Sequence, residues 1–307
     1  MYGIICFMIS LNYVPVKFKL NFMENIAARN EPPLAFVLRS VLGYNLRSMC
    51  CIAHGAECAT CQYNQTCAYA FIFETILPYS NKIQPGTNRA SHPFIFSNSN
   101  IEQSEFTITL LGRAIDYLPY IYAAFVRAEK YGLFKSRTPY TVEDILISGK
   151  SILIDEQNID MSFDRYEWTN SEIKANPTEV LVELKTPLRF KTKGKYISDF
   201  SADDFMMCLY RRLKTVCMLY GNFDEAAADY VPQKDKIRIV ERNLHWQDYT
   251  HYSSRQKSVM ELGGVTGTFK LTGDFSDFEI ALLDFAKIFN AGKNTNFGLG
   301  QLDYWIK

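Results

Sequence analysis

The sequence predicts an α+β fold, made of tandem ferredoxin-like (RRM-like) βαββαβ domains with a C-terminal glycine-rich loop. Two observations support this prediction. In some segments apolar and polar residues alternate, as in half-buried strands, and in others apolar residues recur with helical spacing. The two kinds of segment follow each other in the same order, β-α-β-β-α-β, in each half of the chain. The repeated order indicates two domains of one topology.

The first half begins with a strand, because Phe18, Leu20 and Phe22 alternate with polar residues. A helix is predicted after Pro33, where apolar residues at helical spacing form a stripe over 34–42. The remaining predicted elements are strands over 69–77 and around 106–110, a helix over 115–131 with Pro119 in its first turns, and a strand over 138–147. Together they complete one βαββαβ set.

The second half repeats the order. Its predicted elements are a strand over 180–190, a helix over 205–220, strands over 237–246 and 265–271, a helix over 278–289 and a strand over 297–306. We therefore expect an N-terminal domain over 1–150 with a Cys-rich loop at 50–67, a linker over 151–177, and a C-terminal domain over 178–307 with the glycine-rich loop.

The charge balance excludes a protein that is drawn to nucleic acid by its overall field. Thirty-three Lys and Arg balance thirty-three Asp and Glu, for a net charge of +0. A local basic stripe stays compatible with this sum. The apolar start of the chain lacks a basic region and a cleavage site, and it is too short to cross a bilayer. The eight Cys are then expected in a reducing compartment, so we expect a cytoplasmic protein without a membrane partner.

Several segments carry a family resemblance. They are Leu38–Arg47, Cys67-Ala-Tyr69, Trp246-x-x-Tyr249, Tyr252-Ser-Ser-Arg-Gln256, Leu262-Gly-Gly-Val-Thr-Gly267, Ala291-Gly-Lys293 and Asn296-Phe-Gly-Leu-Gly300. In this order, over residues 13–307, they resemble the CRISPR-associated RAMP-superfamily endoribonucleases that process precursor crRNA. The chain departs from the resemblance at Asn290, where many relatives have a His.

The resemblance implies a metal-independent endoribonuclease that binds CRISPR repeat RNA and needs no cofactor for catalysis. Cleavage of precursor crRNA would follow attack of a 2′-hydroxyl and leave a 2′,3′-cyclic phosphate. The expected partners are repeat RNA or crRNA and other CRISPR effector or adaptation subunits. Because of Asn290, a non-catalytic subunit that binds the crRNA handle is the alternative. A more distant alternative is an unrelated two-domain protein with a zinc-stabilised loop.

The glycines near the C-terminus do not form a known phosphate-binding motif. Lys287 stands where a P-loop needs Gly, and Gly298 and Gly300 precede a strand, whereas a dinucleotide fingerprint precedes a helix. With the resemblance, we expect Gly292, Gly298 and Gly300 to offer free N–H groups to RNA, with Lys293 as a point charge. A tight turn is the alternative.

The Cys-rich loop has the residue types of a zinc site. Cys51, Cys58, Cys61 and Cys67 include one Cys-x2-Cys pair, and we expect them to hold a structural zinc ion. The intervals of six and five residues are not those of a standard zinc ribbon. Reduced, partly buried thiols are the equal alternative. The other Cys in apolar settings, Cys208 and Cys217 among them, are expected in the core.

Basic residues cluster in the C-terminal half and are expected to contact phosphates. They are Arg189, Lys191, Lys193, Lys195, Arg211 and Arg212. The residues at 189–195 would line one face if a hairpin turns at Gly194. A solvated surface is the alternative for each.

Four His limit the candidates for acid–base chemistry. His54 ranks first, because it follows the first helix, from which archaeal members of the family supply a catalytic His. His251 ranks second, with Lys293 and Arg255 as charge stabilisers. We expect His245 to be structural or a stacking neighbour, and His92, which opens a strand before Pro93, to have no catalytic role.

Overall fold

The computed structural model of the protein describes residues 8–23, 33–54, 56–78, 80–81, 83, 90–100, 104–192, 194–253 and 258–307. They divide into two compact units. The N-terminal unit is Asn12–Tyr166, and the C-terminal unit is Glu167–Lys307 together with the described residues before Asn12. The boundary lies inside segment 151–177, for which the sequence predicts a linker.

The N-terminal unit has the predicted ferredoxin-like topology. Its elements are β1 (Ser10–Phe22), α1 (Leu34–Cys50), β2 (Phe94–Asn100), β3 (Glu105–Leu111), α2 (Leu118–Ala128), β4 (Tyr140–Ile147) and β5 (Lys150–Ser151). The strands pair antiparallel in the order β2-β3-β1-β4-β5. In the core, Phe18 stacks on Phe106 at 4.9 Å between ring centroids and meets Phe125 at 5.2 Å.

The strand predicted over 69–77 is wrong. Ala70–Glu74 form a π-helical turn, and the second strand of the unit is β2. Tyr69, Ile72 and Phe73 are all buried, so the apolar run does not alternate between two faces. A short continuous apolar run is compatible with a buried helical turn as well as with a buried strand, and local periodicity cannot separate them.

The C-terminal unit repeats the topology. The short strand β6 (Tyr166–Thr169) spans the boundary between the units. The other elements are β7 (Glu179–Leu188), β8 (Lys191–Thr192), β9 (Lys195–Tyr196), α3 (Ala202–Tyr220), β10 (Ile237–Gln247), β11 (Thr250–Ser253), β12 (Ser258–Glu261), β13 (Gly264–Gly273), α4 (Asp277–Phe289) and β14 (Leu302–Ile306). The main sheet has the order β10-β13-β7-β14, all antiparallel. The chain is therefore a tandem ferredoxin-like α+β protein.

Local sequence sets where the helices begin. Ser201 and Asp204 form a capping box at the start of α3, and Ser276 and Glu279 form another at the start of α4. Pro119 lies in the first turn of α2, where its missing N–H costs nothing. Across the described ranges, no helix is both long enough and apolar enough to cross a membrane.

Candidate functional site

The glycine-rich loop, residues 290–300, connects α4 to β14 and packs against the end of β7. The Gly292 N–H donates to the Cys208 thiol, the Gly298 N–H to the Thr295 carbonyl at 2.9 Å, and the Gly300 N–H to the Pro187 carbonyl at 3.1 Å. The expectation of free glycine N–H groups for phosphate is therefore wrong. All three are used to hold the loop in place.

Two of these glycines are required by close approach of the backbone. Gly300 has a φ of 74°, and a Cβ there would lie 1.8 Å from the Ala291 carbonyl oxygen. At Gly292, also with a φ of 74°, a Cβ would lie 2.5 Å from the Arg189 oxygen. Only glycine fits such positions. These two glycines therefore allow the tight turns of the loop.

The loop nevertheless contacts two residues that the sequence predicts for the site, Arg189 and His251. The Lys293 N–H donates to the Arg189 carbonyl at 2.8 Å, while the Lys293 side chain is exposed. The His251 ring, on β11, lies 5.2 Å from the Phe297 ring in an edge arrangement. The loop therefore contacts both the end of β7 and the β11 strand. Arg255 lies outside the described residues.

The basic segment forms the predicted hairpin, but its side chains do not share one face. β8 and β9 pair around Gly194, with Lys191 opposite Tyr196 and Thr192 opposite Lys195. Opposite residues point to the same side of a hairpin and neighbours to different sides, so Lys191 and Lys195 face opposite ways. The single row of cations was a wrong prediction, because counting every second residue fails across a two-residue turn. Lys193 lies outside the described residues.

Arg189, which follows β7 directly, contacts two other segments of the unit. Its Nη1 donates to the Gly263 carbonyl at 2.9 Å, and its Cζ lies 3.8 Å from the centroid of the Tyr196 ring. Lys191 Nζ lies 4.7 Å from the same centroid. The cations at 189 and 191 therefore converge on one aromatic ring.

The two predicted arginines of α3 have different environments. Arg211 is exposed, and its positive charge partly offsets the rise that burial causes in the pKa of the Cys208 thiol. Arg212 is only 5% exposed, and its Nε and Nη2 donate to the Phe289 carbonyl at 3.4 and 3.2 Å. Burial lowers the pKa of Arg212 to about 10, so it stays charged and caps the C-terminus of α4. The Arg212 guanidinium, which the sequence predicts to contact RNA, is therefore engaged inside the fold.

Asn290, where the sequence departs from the family resemblance, is structural. It is 1% exposed, and its Nδ2 donates to the Leu299 carbonyl at 3.1 Å. The side chain thereby closes the loop from the inside.

His54 lies in the N-terminal unit, in the loop after α1. Its side chain is exposed and lines an open cleft with Tyr44, Arg47, Ser48 and Cys51. Arg47 bonds the Cys51 side chain and lies 5.7 Å from the Tyr69 ring centroid. The cleft therefore pairs a proton-transfer group with a permanent cation. Arg47 was not predicted as a site residue, although a basic residue in the last turn of α1, seven positions before His54, was a usable signal.

The Cys-rich loop gives the zinc expectation no support. Five Cys, among them the four predicted ligands, line a small cavity of about 20 Å³. Yet within the described ranges no three His, Cys, Asp or Glu side chains are placed to hold a metal ion. Burial raises the pKa of Cys50 to about 11 and also raises that of Cys58. Cys208 and Cys217, in contrast, are buried in the core as expected.

The two other His have partners within the fold. His245 Nε2 lies 2.8 Å from Thr266 Oγ1. His92 Nε2 lies 3.2 Å from an Arg39 nitrogen, and its ring stacks on Phe94. These contacts suit structural roles.

Two family models match the chain. Residues 182–302 match CRISPR-associated endoribonuclease Cas6, and residues 11–162 match the N-terminal-domain family AF_1859_N. No curated protein sequence matches it.

Solved structures show the same fold. A product complex of Thermus thermophilus Cas6 is 13% identical with a TM-score of 0.53, covering 97% of this chain and 99% of that one. A second Cas6 product complex is 14% identical with a TM-score of 0.50, at 96% and 99% coverage. A chain of a partial Cas6-RT-Cas1–Cas2 complex is 14% identical with a TM-score of 0.52, covering 97% of this chain but 46% of that one.

Proposed function

Because this chain belongs to the Cas6 family of CRISPR-associated endoribonucleases, we propose that it binds CRISPR repeat RNA and cleaves precursor crRNA. The observation that carries this proposal is the open cleft in which His54 and Arg47 lie together. RNA cleavage without a metal needs proton transfer and stabilisation of negative charge, and this cleft offers one group for each.

The proposed reaction is a transesterification. The 2′-oxygen attacks the neighbouring phosphorus and loses its proton, while the bond from phosphorus to the 5′-oxygen breaks and that oxygen gains a proton. The products are a 2′,3′-cyclic phosphate and a 5′-hydroxyl. His54 accepts the proton of the 2′-hydroxyl, solvent supplies the proton that the 5′-oxygen gains, and Arg47 stabilises the extra negative charge of the phosphorane. Imidazole is suited to this step, because its ordinary pKa lies close to neutral.

The C-terminal unit supplies the proposed binding surface for the RNA backbone. Exposed Lys293, Arg211 and Lys195, together with Lys191, offer positive charge around the glycine-rich loop. Phosphate contacts of this kind position RNA without reading its sequence. His251 beside Phe297 is the second candidate for proton transfer, in this unit.

The test is cleavage of a panel of CRISPR repeat RNAs by the purified protein in chelator. We expect one discrete cut in a bound RNA, with a cyclic phosphate identified by mass spectrometry. His54→Ala should lower the cleavage rate by about 100-fold or more and leave RNA affinity unchanged, because general acid–base catalysis contributes about 10²- to 10⁴-fold. Arg47→Met should also slow cleavage, and Arg47→Lys should recover part of the rate.

His245→Ala is the matched control, since it removes an imidazole that bonds Thr266. Full activity of His54→Ala together with inactivity of His251→Ala would move the chemistry to the C-terminal unit. Binding of repeat RNA without any cleavage would instead leave a subunit that only binds the crRNA handle.

The same proposal includes protein partners. The likeness to 46% of a chain from a partial Cas6-RT-Cas1–Cas2 complex supports CRISPR adaptation subunits as partners of this chain. Size-exclusion chromatography of the protein mixed with Cas1–Cas2 from the same genome should show one complex. Separate elution at micromolar concentrations would limit the partners to RNA.

A further inference from the structure

Two aromatic rings of the C-terminal unit are exposed beside the proposed RNA surface. Tyr196 is 38% exposed and Trp246 is 39% exposed. Both belong to strands, β9 and β10, at the end of the unit where Arg189 and the glycine-rich loop lie. Part of each ring is therefore open to a ligand beside the proposed RNA surface.

A continuous chain of contacts links the two rings. Arg189 Cζ lies 3.8 Å from the Tyr196 centroid, and Arg189 Nη1 donates to the Gly263 carbonyl at 2.9 Å. A Cβ on Gly263 would lie 2.7 Å from Trp246 Nε1, so the indole packs directly on that glycine. The order Tyr196, Arg189, Gly263, Trp246 therefore forms one assembly.

The assembly is held in place before any ligand binds. Trp246 Nε1 donates to Asp248 Oδ1 at 2.8 Å, which fixes the plane of the indole. Lys191, opposite Tyr196 in the hairpin, places its Nζ 4.7 Å from the tyrosine centroid. Rings that are already oriented lose little conformational entropy when a second ring stacks on them.

The charges around the rings suit a polyanion. Arg189 takes part in none of the salt bridges among the described residues, and its buried Nε has no hydrogen-bond partner there. Lys191 adds a second cation on the Tyr196 side, whereas Asp248 lies on the Trp246 side. A phosphate backbone would therefore follow Arg189 and Lys191, with its bases turned towards the rings.

We propose that Tyr196 and Trp246, joined through Arg189, form a base-stacking platform for an unpaired segment of the RNA. This proposal rests on the proposed function and names the class of RNA that the surface accepts. Bases in a paired A-form helix are already stacked on each other, so only unpaired bases can use both rings. The platform accepts single-stranded RNA with little preference for sequence, because every base offers a π face.

The first test measures affinity for four probes: a 12-nucleotide oligoadenylate, a 12-nucleotide oligouridylate, an abasic strand of equal length, and a 12-base-pair RNA duplex. Tyr196→Leu and Trp246→Leu should each weaken oligoadenylate binding by between about fivefold and about 150-fold, the range for loss of one stacked base. The abasic strand and the duplex should bind all variants equally, because neither offers a free base.

Two controls separate stacking from folding. Tyr196→Phe and Trp246→Phe keep an aromatic ring and should recover most of the affinity. Trp305→Leu removes a ring that is 47% exposed on β14 of the same unit, and it should leave affinity unchanged. Equal affinity of Tyr196→Leu, Trp246→Leu and the parent for oligoadenylate would overturn the proposal. So would equal losses with the abasic strand.

A second readout is the fluorescence of Trp246. In a Trp305→Phe background, the remaining tryptophans are Trp246 and the buried Trp168. Oligoadenylate should quench the exposed indole by stacking, and the abasic strand should not. The tests also distinguish this proposal from the function beneath it. If the leucine variants cleave repeat RNA normally, the platform proposal fails and the proposed function stands. If the parent protein binds no RNA, both the platform proposal and the proposed function fail.

Discussion

Two loops of this protein each follow a helix, and they are held in opposite ways. In the Cys-rich loop, 50–67, the backbone hydrogen bonds that the structure describes span three or four residues, such as Cys61 to Cys58 and Thr66 to Tyr63. In the glycine-rich loop, Lys293 bonds Arg189 and Gly300 bonds Pro187, across more than a hundred residues. The first loop is a series of local turns. The second is part of the fold of its unit.

The difference indicates which loop tolerates side-chain substitutions and which loop does not. A loop of local turns tolerates side-chain changes, and in this protein it carries the exposed His54. The glycine-rich loop has its backbone donors in use, so its contribution to binding comes from exposed Lys293 and from the elements it holds together. The stabilities of three sets of variants test this difference between the loops.

The largest effect is expected at Gly300. Gly300→Ala places a Cβ 1.8 Å from the Ala291 oxygen at a φ of 74°, so the free energy of unfolding should fall by about 3 kcal/mol or more. The measurement is urea denaturation. Gly194→Ala is the control, because its φ is 81° but no atom lies within 4 Å of the added Cβ. It should cost only about 1 kcal/mol. Equal losses at both sites would show that the glycine-rich loop is not fixed by its contacts.

An intermediate effect is expected from Asp303, on the strand that follows the glycine-rich loop. Burial alone would raise the pKa of Asp303, but the Lys287 and Lys185 hydrogen bonds outweigh it and lower that pKa to about 2. Because the folded pKa is below the unfolded one, the stabilisation is present above about pH 4 and is lost as the pH falls towards 2. It amounts to no more than about 2 kcal/mol.

The measurement is the difference in unfolding free energy between the parent and Asp303→Asn from pH 6 to pH 2. The difference should shrink as the pH falls. Asp274→Asn, which removes an exposed carboxylate from the same unit, is the control. A difference that does not change with pH would mean that the two lysines do not hold Asp303.

The smallest effect is expected in the Cys-rich loop. Cys58→Ser and Cys61→Ser should each change the free energy of unfolding by less than about 0.5 kcal/mol, because both thiols are only partly buried. Cys217→Ser, at 0% exposure, is the comparison and should cost about 1 to 3 kcal/mol by burying a hydroxyl. Losses above about 2 kcal/mol in the loop variants would mean that its thiols act together after all.

Local signals in the sequence determined most of the secondary structure. Alternation over β1, the helical stripe of α1, Pro119 in α2 and the turn at Gly194 each act within a few residues, and each was predicted correctly. The βαββαβ order of both units followed from such signals. They also drew attention to His54 and to the basic segment around Arg189.

The partners of the polar groups depend on the tertiary structure and could not be predicted from the sequence. In the folded protein Arg212 donates to the Phe289 carbonyl, and N–H groups of the glycine-rich loop donate to carbonyl groups. Tyr196 lies opposite Lys191, and residues 70–74 form a helical turn. The physical reason is common to all four. Whether a donor, a cation or an apolar face is free depends on partners that are distant in sequence, and no local pattern records those partners.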